Sequence, residues 1–474
     1  MSLHNSINVV LGVVLTNRTA EFERLLTSLA PVADDPHLHL VVLDNSDHPS
    51  TTDSAALETD GWPISGIRCR TRSDSPRSPL HIARPQLAKA IASSCSILAA
   101  PMLIWSLDDD LTFEELDLVG GHPTLRNVAR DRITQVRRLF ADNPEWDVLI
   151  GGFTGDPPVR PESVIAAQLS DARFNLNRAM ALRPDAAWPR HDSPRRRVDD
   201  YYDLTELYPL EQVLCPLPWT PRAGTRSDFE TVAASLLEAV AAIPQGRAPF
   251  RPLLPLHSGL FRESQRPNCG GNAVFRRLED LFNHPYPAMP VGDTYSRRGD
   301  MIGMNLLRHR FGLKIAEGPL TLHHDRTFQP RIGNGESVLL ADFVGVLVSR
   351  YVSSRSDQRP INSLSDFVLQ RASRLRAALT QARDTAAEIS TVLHSVPAFW
   401  SVSARIDASL NRAKAEMCGL AEALTTLLVS DEVSRMSELT LHAEAFTYAE
   451  SLMRDPLNPG LLTPVAPTCA QSGA

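Results

Sequence analysis

Residues 7–15 read INVVLGVVL, an almost unbroken apolar run in which Val dominates. Such a short, β-branched run, with no polar alternation, has no face meant for water. It suits a strand buried on both sides, as in a parallel sheet covered by helices. Phe22, Leu25, Leu26 and Leu29 then recur at helical spacing, and residues 38–43 form a second short apolar run. Strand, helix and strand in that order imply a right-handed crossover and an α/β sheet. A helical pattern over residues 86–98 leads to a third apolar run at 102–107, and a fourth candidate lies at 146–150. Residues 46–80, rich in Ser, Thr, Pro and Asp, are expected to be mostly loop.

Three of these runs end in polar clusters: Thr16-Asn17-Arg18-Thr19, Asp44-Asn45-Ser46-Asp47 and Asp108-Asp109-Asp110. Open α/β sheets bind ligands outside the carboxyl ends of their strands, so the three clusters are expected to converge on one sheet edge. Adjacent carboxylates repel one another unless a cation offsets them. Mg²⁺ is commonly held by one or two carboxylates together with substrate phosphates. The same triplet, with Glu114 and Glu115, could equally cap a following helix and complement its dipole.

Later clusters carry chemistry of their own. Gly270-Gly271-Asn272 precedes a segment read as helical, and paired glycines let backbone approach a ligand closely. Asp300 opens a helical run, where a carboxylate is either a cap or a general base near a substrate hydroxyl. His323-His324 follows a short strand at 313–316; neighbouring strand residues point to opposite sides, so one imidazole is expected to reach a metal and not both.

The 474 residues suffice for two or three modules, and 43% hydrophobic with 22% charged residues is an ordinary globular composition. A net charge of −7 argues against broad nucleic-acid binding, which needs a basic face. The six cysteines are scattered without zinc spacing, the first residues lack a basic leader, and no stretch has the length of a membrane span. A soluble, cytoplasmic protein without a transmembrane segment is the expectation. Residues 157–255 read as an insertion or acceptor-side lobe with a capping box at Ser227 and Glu230. Leu375, Leu379, Ala382, Ala386, Ile389 and Leu393 repeat in heptads, as do Ile406, Leu410, Ala413, Met417, Leu420, Leu424 and Leu427. Two such helices are expected to pair as an antiparallel hairpin, or to support a homo-oligomer. Residues 360–455 are thus a helical domain and 456–474 a flexible tail.

Taken in order, these clusters resemble the GT-A-type (Rossmann-like) glycosyltransferases, and the inverting family 2 in particular. The resemblance covers about residues 7–327, within a domain spanning 1–335, and rests on Leu15-Thr16-Asn17-Arg18, Leu43-Asp44-Asn45, the D-x-D motif Asp108-Asp109-Asp110, Gly270-Gly271-Asn272, Gly299-Asp300 and His323-His324. It implies a non-processive, hexosyltransferase-type enzyme moving a sugar from a nucleotide-diphosphate sugar to an acceptor hydroxyl. In that reading Asp44 contacts the nucleotide base, and Asp108 the ribose. Asp110, with His323 or His324, binds Mn²⁺ or Mg²⁺, and Asp300 is the base. Thr16, Asn17, Arg18, Arg84, Asp109, Gly270, Gly271 and Asn272 would complete the nucleotide-sugar site. The family's usual Glu-Asp base motif is Gly-Asp here, and the Gln-x-x-Arg-Trp motif of processive members is not evident.

Three rivals use the same residues. Asp108-x-Asp110-x-Thr112 matches the nucleophile motif of haloacid-dehalogenase-type phosphatases. That chemistry ordinarily needs a later lysine, yet the chain's three lysines are Lys89, Lys314 and Lys414, none between Thr112 and Gly292. A sugar nucleotidyltransferase would need a Gly-rich loop where Thr16-Asn17-Arg18-Thr19 stands. A degenerate, non-catalytic nucleotide-sugar-binding scaffold is the third.

Overall fold

The structure is a computed structural model that describes residues 6–47, 64–98, 101–119, 122–156, 165–181, 213–214, 253–255, 261–264, 271–282, 286–291, 294–325, 335–356, 362–395 and a few positions between 408 and 454. The first half contains β1 (Asn8–Leu15), α1 (Thr19–Ser28), β2 (Leu38–Asp44), β3 (Arg68–Arg72), α2 (Leu80–Ser94), β4 (Met102–Asp108), β5 (Leu111–Thr112), β6 (Glu114–Val119), β7 (His122–Asn127), α3 (Ala129–Asp142), β8 (Val148–Ile150) and β9 (Phe153–Gly155). Then come α4 (Ile165–Ala181), β10 (Val213–Leu214), β11 (Leu253–Leu254), β12 (Arg262–Glu263), β13 (Asn272–Phe275), α5 (Leu278–Phe282), β14 (Pro290–Val291), β15 (Thr294–Tyr295), α6 (Gly299–His309), β16 (Ile315–Glu317), β17 (Leu322–His324), α7 (Gly335–Ser356) and α8 (Asn362–Ser395).

A mixed sheet in the order β12-β16-β8-β13-β4-β1-β2-β3 forms the centre. β1 pairs in parallel with both β2 and β4, so the chain leaves β1 toward one edge and returns on its other side. Every residue of β1 and β2 is buried, as the apolar runs require. Alternate residues serve opposite faces. Val9, Leu11, Val13 and Leu15 pack with Phe22 and Leu25 of α1, with Leu29 just after it, and with Ile133, Val136 and Phe140 of α3. Val10 and Val14 meet Ala83, Leu87 and Ile91 of α2. Gly12 is where α2 comes closest, since a Cβ there would lie 2.9 Å from Ile91 Cδ1.

Two features depart from the expectations and two add to them. Within residues 46–80, Arg68–Arg72 is a strand and not loop, pairing in parallel with β2. It is the outermost strand of the sheet, where charged residues keep an edge from pairing further, and that removed its apolar signature. Asn272–Phe275, read as the start of a helix, is instead an antiparallel strand buried between β4 and β8. Helix α4 lies inside the region read as an insertion; the expected helix from Ser227 lies outside the described residues. The heptad stripe of α8 does bury Leu379, Ala382, Ala386 and Ile389, yet the helix packs on α4, with Arg173 and Glu388 ion-paired across the contact. The second heptad segment, 406–427, falls almost wholly outside the described residues, as do Gly270 and the tail.

A second, smaller sheet has the order β10-β11-β9-β17-β5. It sets β17 beside the strand that follows the Asp triplet, with His324 opposite Leu111 and His323 opposite Thr112. No helix among the described residues is long and apolar enough to cross a membrane.

Candidate active site

The C-terminal ends of β1 and β4 are neighbours, because the two strands are in parallel register with Val14 opposite Asp108. That is the point where strand order reverses, and where α/β sheets open a crevice. Asn17 turns the chain out of β1 with a φ of 55°. The turn is tied to the triplet through its backbone: the Thr16 N–H donates to Asp109 Oδ2 at 3.1 Å. Arg18 Nη1 donates to Asp109 Oδ1 at 2.8 Å and to Asp110 Oδ2 at 2.7 Å.

The three aspartates occupy different surroundings. Asp108 keeps 40% of its side chain exposed, and its Oδ1 accepts from Arg84 Nη2 at 2.6 Å. Arg84 also donates to Ser106 Oγ and stacks over the Tyr286 ring at 5.7 Å. Gly271, with a φ of +84°, presses on Asp108 so closely that a Cβ would lie 2.0 Å from Oδ2. Here the glycine admits a carboxylate of the chain itself. Asp109 is 5% exposed, and Asp110 is 6% exposed.

Crowding raises carboxyl pKa values here. Burial, with help from Asp110 and Asp108 and against Arg18 and the Thr16 N–H, pushes Asp109 up to about 7. Desolvation by the surrounding chain likewise raises Asp108, with Asp110 and Asp300 adding to the shift and Arg84 and Arg18 opposing it. Burial would lower the Arg18 guanidinium, but the charges of Asp109, Asp110 and Asp108 reverse this and raise it. The cluster therefore holds more negative charge than its two arginines comfortably balance.

His324 supplies the clearest geometric clue. Its Nδ1 lies 2.5 Å from the carbonyl oxygen of Asp156, an acceptor, so Nδ1 carries the proton. Its Nε2 then faces Asp110 Oδ2 at 3.2 Å. An imidazole nitrogen and a carboxylate oxygen at that distance attract only with a proton or a metal ion between them. Donors bonded at about 2.1 Å in an octahedral shell stand about 3 Å apart, which the pair matches. No group of three or more His, Cys, Asp or Glu side chains among the described residues is gathered as for a metal. A cation held jointly with a diphosphate needs only one or two side chains, and the pair fits that chemistry. His323 points away. Burial holds it neutral down to about 4, its Nδ1 has no partner among the described residues, and its ring fills the space that a Cβ at Gly155 would take.

Neither a protein-family model nor a curated protein matches this chain.

The remaining candidates divide. Asp300 lies in the first turn of α6, near enough for its charge to act on Asp108, and Gly299 beside it packs against Tyr286. Asp44 sits at the same sheet edge, but its 2%-exposed side chain is ion-paired with Arg70 and accepts the Ser46 N–H. Asn272 is wholly buried; its amide accepts from Trp105 Nε1 and donates to the carbonyls of Gly152 and Leu320. The structure thus gives Asn272 a framework position. Sequence reasoning missed Arg70, Tyr286 and Ser106. It also missed that Asn45 ties Thr16 to Ser78, and the Arg24–Asp325 ion pair just past β17. Alternation in Arg68–Arg72 was the one signal that could have exposed Arg70.

Proposed function

We propose that the protein is a metal-dependent glycosyltransferase that moves a sugar from a nucleoside-diphosphate donor to an acceptor hydroxyl with inversion. The observation that carries this reading is the facing pair of Asp110 Oδ2 and His324 Nε2 at 3.2 Å, beneath a surplus of carboxylate charge at the sheet's reversal point. Asp110 and His324 would hold Mn²⁺ or Mg²⁺, which when bound stabilises charge on the leaving diphosphate. Asp108 keeps an exposed face in the cleft for the donor, and Arg84 fixes its rotamer. Asp300, near enough for its charge to act on Asp108, would take the acceptor's proton as the acceptor oxygen bonds to the anomeric carbon and the sugar–phosphate bond breaks. Asp44, closed off by Arg70, would act on the base only by shaping the loop at 45–47.

Melting curves with Mn²⁺ plus UDP or GDP test the reading. Binding at a hundred times the dissociation constant stabilises by about 2.7 kcal/mol, a readable shift. Asp110→Ala and His324→Ala should each remove it, whereas His323→Ala should retain it. An unchanged shift in Asp110→Ala refutes the metal assignment. Turnover of simple phosphate esters would favour the phosphatase rival, and nucleotide binding without transfer to any acceptor would favour the scaffold.

A further inference from the structure

We infer that Arg18 is a displaceable counter-ion, closing Asp110 in the metal-free protein and passing to the donor diphosphate when a divalent cation binds. This rests on the transferase reading above and concerns how the same site is regulated. The decisive contact is at one atom: Asp110 Oδ2, which faces His324 Nε2, is also the oxygen that accepts from Arg18 Nη1 at 2.7 Å. A guanidinium and a divalent cation on that one oxygen repel each other, so a cation bound there weakens the Arg18 contact.

Arg18 is built to leave. Its side chain is 32% exposed, against 7% and 6% for the Asp109 and Asp110 side chains that it covers, so it closes them from the solvent side. The backbone beneath does not depend on the guanidinium. The Thr16 N–H is bound to Asp109, the Asn17 side chain to Asp47, and the Asn17 N–H to Ser46 Oγ. Rotation about the Arg18 side-chain bonds therefore frees the carboxylates while the turn stays in place. Arg84 is the contrast within the site: 11% exposed and held by Ser106, Asp108 and the Tyr286 ring, it is a fixed charge.

Displacement has an energetic consequence. A cation arriving alone must remove Arg18 with nothing to receive it. A cation arriving with a nucleoside diphosphate offers the guanidinium a phosphate partner, which its planar fork matches. Each ligand therefore strengthens the other's binding, and the coupling is reciprocal.

Titration calorimetry of the full chain with Mn²⁺, alone and with UDP or GDP present, tests this. For the native protein we expect the diphosphate to tighten Mn²⁺ binding on the order of tenfold. Arg18→Gln should bind Mn²⁺ alone more tightly than the native protein, by a similar order, and show a smaller coupling, the remainder being the cation's own bond to the diphosphate. Arg18→Lys, which can return an ammonium to the same place, should restore weak binding of Mn²⁺ alone. Equal Mn²⁺ affinity in native protein and Arg18→Gln overturns the displacement while leaving the metal site standing. Should Arg18→Gln not fold, equal Mn²⁺ affinity with and without diphosphate in the native protein overturns it too. If no form binds Mn²⁺ under either condition, the transferase reading fails and the displacement with it.

Discussion

Strands β2 and β4 both deliver aspartate to the same sheet edge, yet the two ends have opposite electrostatic outcomes. At β2, Asp44 meets one guanidinium and one backbone N–H, and nothing is left over. At β4, three carboxylates share Arg18 and Arg84, Asp109 is pushed up to about 7, and Asp110 Oδ2 faces His324 Nε2. A strand-end carboxylate is therefore not a site by virtue of its position. What separates a structural acid from one that can bind a ligand is the balance between its charge and its neighbours' donors, and that balance depends on which chains pack nearby.

Substitutions can break or sharpen this contrast. The largest effect is expected at Asp300. Asp300→Asn should lower transfer by roughly 10²- to 10⁴-fold, the usual contribution of a general base, with the Mn²⁺–nucleotide melting shift intact. Transfer surviving at the native rate would place the base elsewhere.

The next largest is a pH effect at Asp109. Its folded-state pKa, about 7 against an ordinary 3.8, is raised, so the folded protein binds the proton more tightly than the unfolded chain. That stabilisation is present at acid pH and is lost as pH rises from about 4 to about 7. Three pKa units correspond to roughly 4 kcal/mol at most. His39 and His323, both held down to about 4 by burial, act in the other sense, losing stability as pH falls from about 6.5 toward 4. The Asp109 contribution is therefore read as the stability difference between native protein and Asp109→Asn. That difference should shift against the native protein as pH rises, and a flat profile would contradict it.

The same substitution at the two strand ends should then diverge. Asp44→Asn, which breaks the buried pair with Arg70, should cost about 3 kcal/mol in urea unfolding and leave the Mn²⁺ shift in place. Asp110→Asn should cost less than Asp44→Asn, since Arg18 keeps Asp109 and one repelling charge is gone, but should abolish the shift. Equal behaviour of the two variants would erase the distinction. Gly271→Ala is expected to cost at least about 1–2 kcal/mol for the left-handed backbone alone, and more because its Cβ would displace Asp108. Nucleotide binding should weaken with it.

Much of the scaffold was readable in the chain. β1, β2 and β4 are buried on both faces, and such strands must be continuously apolar, so residues 7–15, 38–43 and 102–107 announced themselves. β3 did not, because an edge strand needs charge more than burial. β13 was masked by the glycines before it and by its four-residue length, too short for a period to tell strand from helix.

The site divides along the same line. Local sequence determined that carboxylates would stand at the end of a buried strand and that one of two adjacent histidines would face them, because strand geometry sets alternate side chains on opposite sides. Only tertiary structure decided that the one is His324, through a carbonyl at Asp156 that orients its ring from 168 residues away. It decided too that Arg70 closes Asp44, that Gly271 serves Asp108, and that Arg18 spans Asp109 and Asp110. Each of these joins residues far apart in the chain. A sequence specifies how apolar and polar positions alternate, but which charges end up facing each other is settled only when separate elements pack together.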